Sequence, residues 1–152
     1  MINNCLPDYT PCDRVHFQNR AGQYLDESAK GYVDRQEPDL ALGIERIAAA
    51  GGISSIAHPV RLGYRDPAQM RKIVSEMRDA GLTAIEVYHS DHRPADVEQF
   101  LGLAREFDLA ITGGSDFHGD VKPGVRLGSG AGNLNIPRSV LERLREIQPQ
   151  PR

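Results

Sequence analysis

From Pro38 onward the chain alternates between two periodicities. Asp39 stands where a helix cap belongs, Leu40, Ile44 and Ile47 follow at helical spacing, and Gly51-Gly52 provides the stop. The apolar run Ile53 to Ala57 predicts a short buried strand that ends at His58-Pro59. Asp66-Pro67 supplies the cap and first-turn proline of a second helix. Met70, Ile73, Val74 and Met77 form its inner face, and Gly81 ends it. The unit then repeats. Ala84 to Tyr88 predicts a strand ending at His89, and Pro94 opens a helix with Val97, Phe100, Leu101 and Ala104 on one stripe. Leu109 to Thr112 predicts a third strand running into Gly113-Gly114-Ser115-Asp116-Phe117-His118. A loop through Gly124, Gly128, Gly130 and Gly132 leads to a last helix, opened by Pro137, with Val140, Leu141, Leu144 and Ile147 inward.

Strand and helix alternating in this way imply βαβ units and a parallel sheet. Ligands and catalytic groups of such sheets gather at the carboxyl ends of the strands. Here the polar residues fall at those ends: His58 after the first strand, His89 and His92 after the second, Asp116 and His118 after the third. The segment before Pro38 shows no sustained period. Residues 1–31 read as irregular or partly helical, with a short amphipathic helix within Val15 to Leu25, and Tyr32-Val33 reads as a brief extended piece. The regular domain is expected over 32–148, with a tail at 149–152.

Composition narrows the class. The 152 residues are 39% hydrophobic and 26% charged, as in an ordinary globular domain. They are too few for a complete eight-stranded α/β barrel, which takes roughly 250. A net charge of −3 argues against a partner such as long nucleic acid, which calls for a basic excess. No apolar run reaches the length of a membrane span. Cys5 and Cys12 are too few for a disulfide framework and read as two free thiols. With no signal-peptide pattern in the first ten residues, a cytoplasmic location is expected.

Several of the strand-end residues are metal donors. If Asp116 and His118 sit on an extended segment, two residues apart, both side chains point one way and can share a divalent ion. Gly113 and Gly114 would let the backbone turn tightly beside it. The alternative is a turn cap followed by a surface histidine. His58, held at the sheet edge by Pro59, is either a third ligand or a histidine satisfied by a backbone carbonyl. His89 and His92 could contact phosphate, bind metal, act as acid or base, or lie in an exposed loop. Arg61 and Arg65 follow His58, and Lys122 and Arg126 follow His118; cations so placed suit phosphate oxygens, most of all Arg61.

Three segments together resemble a known family. Gly51-Gly-Ile-Ser-Ser-Ile-Ala-His58-Pro-Val-Arg61, Ile85-Glu-Val-Tyr-His89-Ser-Asp-His92 and Thr112-Gly-Gly-Ser-Asp116-Phe-His118-Gly are similar, in order and spacing, to motifs of the PHP (polymerase and histidinol phosphatase) phosphoesterases. They are nearest to the bacterial branch of nucleoside-bisphosphate and oligonucleotide phosphatases. The resemblance covers about Tyr32 to Ile147. It implies the C-terminal portion of a distorted (β/α)7 barrel, present here as an incomplete parallel sheet with flanking helices. It also implies two or three divalent ions (manganese, zinc or iron), with His58, Asp116 and His118 among their ligands. His92 and Arg61 match catalytic positions, and His89 joins them in binding substrate. The reaction implied is hydrolysis of a phosphoester in a small nucleotide or oligonucleotide by a metal-activated hydroxide.

The family's first motif is an H-x-H pair. The five histidines of this chain, His16, His58, His89, His92 and His118, contain none. The expectation is therefore a fragment of the family site, which either self-associates or meets a chain supplying the missing barrel half. The alternative is a non-catalytic remnant that serves as an interaction or structural module.

Overall fold

The computed structural model of the protein describes residues 29–33 and 38–148. The helix expected within Val15 to Leu25, the two cysteines, His16 and the tail at 149–152 lie outside those residues. The chain divides into two compact units, Met1–Glu37 with His118–Pro123 and Pro38–Phe117 with Gly124–Arg152. In the first, the Tyr32 N–H donates to the Ala29 carbonyl at 3.1 Å, and a single 3-10 turn spans Gly119–Val121. Tyr32 and Val33 are exposed and belong to no strand. The Tyr32 N–H is taken up by the turn from Ala29.

Among the described residues, the second unit holds the α-helices and the sheet. Its elements are α1 (Leu40–Ala49), β1 (Ser55–Ile56), α2 (Pro67–Asp79), β2 (Ala84–His89), α3 (Pro94–Glu106), β3 (Ala110–Gly114) and α4 (Arg138–Ile147). The three strands form one parallel sheet in the order β1-β2-β3.

The helix signals act as the sequence suggests. The Asp39 carboxylate accepts from the Leu42 N–H at 2.9 Å, and that of Asp66 accepts from Gln69 at 2.8 Å. Both helices stop at a left-handed glycine, Gly51 (φ +76°) and Gly81 (φ +100°). At each stop the glycine N–H and the next one turn back onto the helix: Gly51 to Ala48 and Gly52 to Ile47, Gly81 to Arg78 and Leu82 to Met77. β1 has two residues, fewer than the five expected. Before it, side chains replace the ladder: the Thr83 hydroxyl donates to the Ser54 carbonyl at 3.0 Å, and the Thr83 N–H donates to the Ser54 hydroxyl at 3.2 Å.

The core lies on one face of the sheet. Ile85 and Val87 of β2 are fully buried with Met70 and Val74 of α2 and Phe100 of α3, and Leu103 and Ala104 complete the layer. Of the helix faces expected to be inward, none on α2 or α3 is exposed. On α4, which lies against β3, Val140, Leu144 and Ile147 are half-buried but Leu141 is 49% exposed. Leu141 thus points away from the layer it was expected to join. Among the described residues, no helix is long and apolar enough to cross a membrane.

The start of α3 carries a pH-sensitive contact. The Asp96 carboxylate accepts from the Arg93 N–H at 2.8 Å and pairs with its guanidinium, Nε at 2.9 Å. That bond to Arg93 holds the Asp96 carboxyl below its ordinary value. The folded state therefore binds this proton less readily than the unfolded one. The stabilisation is complete above the unfolded carboxyl value and is lost as pH falls through the folded one. Asp96→Asn is expected to melt below wild type at neutral pH and to converge with it in acid, once pH falls below the lowered value of the folded Asp96 carboxyl. Thermal melts across that range read the difference. Curves that stay parallel down to acid pH would remove Arg93–Asp96 as a contributor.

Candidate metal centre

Each strand delivers one donor at its carboxyl end. His58 follows β1 by two residues, His89 closes β2, and Asp116 follows β3 by two residues. One donor atom from each of the three lies within 4.8 Å of the others. The His58 Nε2 is 3.8 Å from the Asp116 Oδ1, and the rings of His58 and His89 meet edge to face with centroids 5.3 Å apart.

The backbone is bent to achieve this. His58 (φ +38°, ψ +58°) and Asp116 (φ +55°) are in the left-handed region, which costs a non-glycine residue about 1–3 kcal/mol and persists only where the surroundings enforce it. At His58 the backbone N–H meets a carboxylate. Glu86 of β2 accepts the His58 N–H through Oε2 at 2.7 Å. On a regular strand Glu86 and His89 would face opposite sides. A bulge between Glu86 and Tyr88 shifts the β2–β3 register, so both side chains reach His58.

Gly113 and Gly114 make room for this arrangement. A Cβ on Gly113 would stand 2.9 Å from the Cβ of Tyr88, and one on Gly114 would stand 2.9 Å from the Glu86 Oε1. Gly130 of the glycine-rich loop has a similar role: a Cβ there would collide with the Ser90 hydroxyl, while Asn133 Nδ2 donates to the Ser90 carbonyl at 2.9 Å. The loop thus braces the turn that follows His89.

Charge and burial differ sharply across the cluster. His89 is 3% exposed, and burial holds its imidazole below the ordinary value, so it is neutral near pH 7. Its Nδ1 accepts the Asp91 N–H at 3.1 Å, and its buried Nε2 has no hydrogen-bond partner among the described residues. A buried polar atom left unsatisfied calls for a partner such as a water or an ion. Arg61, carried on the 3-10 turn Pro59–Leu62, reaches two carboxylates. Its guanidinium pairs with Asp91 and lies 3.1 Å from the Asp116 Oδ2. The bond to Asp91, with a further contribution from Asp116, raises its pKa further.

His92 sits behind this layer. It is buried, its Nδ1 is 2.8 Å from the Val87 carbonyl, and its ring packs between His89 (5.3 Å) and Phe100 (5.0 Å). Its Nε2 is also buried without a partner among the described residues. His118 belongs to the other compact unit, as the residue before the turn Gly119–Val121. Asp116 itself is left-handed rather than extended, so the alternation argument does not apply at that residue. Sequence reasoning missed Glu86 and Asp91. An acidic residue inside a strand reads as its solvent side, and Asp91 gave no sign that it would meet Arg61.

Two imidazoles and a carboxylate, one imidazole being buried and neutral, suit a divalent ion of the zinc, manganese or iron type. A concavity lined in part by Arg78, Asp108, Ser139 and Arg143 lies where β2 and β3 begin, at the opposite end from these donors.

No protein-family model matches the chain. It is 32% identical over 96 residues to a 5'-3' exoribonuclease of Haemophilus influenzae, a match covering 63% of this chain and 35% of the relative. It is 31% identical over 106 residues to the 3',5'-nucleoside bisphosphate phosphatase of Chromobacterium violaceum, covering 70% of this chain and 37% of that protein. The matched region thus spans about a third of the length of these curated relatives. Among solved structures, a Bifidobacterium adolescentis protein described as a metal-dependent phosphoesterase superposes with a TM-score of 0.59 at 28% identity, over 84% of this chain and 43% of that one. In sequence the chain is similar to phosphoesterases and nucleases that act on nucleotides or RNA, and in fold to a metal-dependent phosphoesterase.

Proposed function

We propose that the chain carries part of the active site of a PHP-type, metal-dependent phosphoesterase whose substrates are small nucleotides or short oligonucleotides. The observation that carries this reading is the convergence of His58, His89 and Asp116 at three adjacent strand ends, with Arg61 beside Asp116. His58, Asp116 and, from the sequence motif, His118 are assigned as metal ligands. His89 is added to them for its orphaned Nε2. Holding an ion through Nε2 would require the tautomer that carries its proton on Nδ1, in place of the acceptor role Nδ1 now has toward the Asp91 N–H.

The bound ions, manganese, zinc or iron, would supply an activated hydroxide and neutralise phosphoryl charge. The chain's own residues do the rest. Arg61 offers a planar set of donors to the phosphate oxygens and is kept in place by Asp91. The buried wall formed by His89, His92 and Phe100 excludes water from one side of the donors. Within that wall His92 acts as a packing partner of His89, and a direct role in proton transfer requires its Nε2, without a partner among the described residues, to reach the substrate.

A site of two or three ions needs more donors than these, and the chain has no H-x-H pair. Weak turnover is therefore expected from this chain by itself. The test is hydrolysis of a 3',5'-nucleoside bisphosphate and a short oligonucleotide with manganese added. Weak manganese-dependent release of phosphate, lost in both His58→Ala and Asp116→Ala, is the expected result. Turnover indifferent to both substitutions would contradict the proposal.

A further inference from the structure

We infer that Glu86 is a positioning residue of the centre: its carboxylate, wedged between the His58 backbone and Gly114, holds His58 in the left-handed conformation that aims its imidazole at His89 and Asp116. The inference deepens the proposed metal reading, and its structural half stands without it.

Three observations converge. The Glu86 Oε2 accepts the His58 N–H at 2.7 Å, a short bond of the charge-assisted kind. His58 is a non-glycine residue at φ +38°, and its side chain makes no capping hydrogen bond of its own. An external contact must therefore hold it there. The other carboxylate oxygen occupies the space that a side chain at Gly114 would need. Glu86 thus ties the end of β1 to the end of β3 from the strand between them, while the bulge after it brings His89 to the same place. In a half-buried position a carboxylate is an expensive choice for a strand residue. The contact to the His58 N–H gives it a purpose.

Glu86→Gln keeps an oxygen that can accept the His58 N–H, whereas Glu86→Ala removes it. Two readouts are needed, one without metal. In the metal-free chain, the nuclear Overhauser contact between the His58 and His89 rings should be present in wild type and Glu86→Gln and absent in Glu86→Ala. With cobalt(II) as the probe, affinity should fall about 10–100-fold in Glu86→Ala and less than about threefold in Glu86→Gln, the scale seen when an outer-shell partner of a ligand is lost. Circular dichroism confirms that each variant is folded at the temperature used.

A Glu86→Ala variant that melts lower yet keeps the ring contact and the cobalt affinity would reduce Glu86 to a structural residue and overturn the inference. Loss of the ring contact in a chain that never binds cobalt would instead support the positioning role and overturn the metal reading.

Discussion

Phe100→Ala is expected to destabilise the second unit by about 3–5 kcal/mol, the usual cost of truncating a fully buried phenylalanine. Phe100 has no exposed surface, lies on the inner face of α3 against β2, and its ring meets that of His92 at 5.0 Å. The loss combines apolar area returned to water with a cavity that a rigid sheet cannot close. Domains of this size are stable by about 5–15 kcal/mol, so much of the chain's stability rests on one side chain. The cavity would open beneath His92, and through it beneath His89, so the donor cluster should loosen as well. Phe100→Leu preserves most of the volume and should cost much less. Urea unfolding of the three proteins measures this directly; a loss under about 1 kcal/mol in Phe100→Ala would show that α3 does not anchor the sheet.

Asp116→Ala is expected to reduce divalent-metal affinity by more than about 100-fold, beyond the roughly 10–100-fold that removing an outer-shell partner costs. It is the only carboxylate in the three-residue cluster, and two neutral imidazoles alone would leave an ion's charge uncompensated. The substitution also takes from Arg61 one of its two acidic partners. Asp116→Asn separates these effects, since it retains a donor oxygen but removes the charge. Calorimetric titration with manganese compares the variants. Equal affinity in wild type and Asp116→Ala would remove Asp116 from the site.

The parts of this protein written in local sequence were legible. Asp39, Asp66, Gly51 and Gly81 mark helix ends because capping is decided within a few residues. The alternation of periods implies the parallel order β1-β2-β3, and hence that residues at strand ends meet. What depends on backbone irregularity was not legible. The bulge after Glu86 changes which side chains share a face, and no residue type announces it. That is why Glu86 reads as an ordinary strand residue, and why metal binding was only one of several readings open for His89. The left-handed turn at Asp116 likewise defeats the argument from extended alternation with His118. β1 falls short of its apolar run because Ser54 and Thr83 bond through their side chains, a contact across 29 residues of sequence.

Cobalt(II) titration of the intact chain, followed by visible absorption, decides whether the three strand ends build a metal site. Cobalt reports its own ligands, where zinc is silent. Wild type is expected to show saturable ligand-field bands that are lost in His89→Ala and Asp116→Ala. No bands, or bands unchanged in both variants, would mean that these strand ends hold no ion.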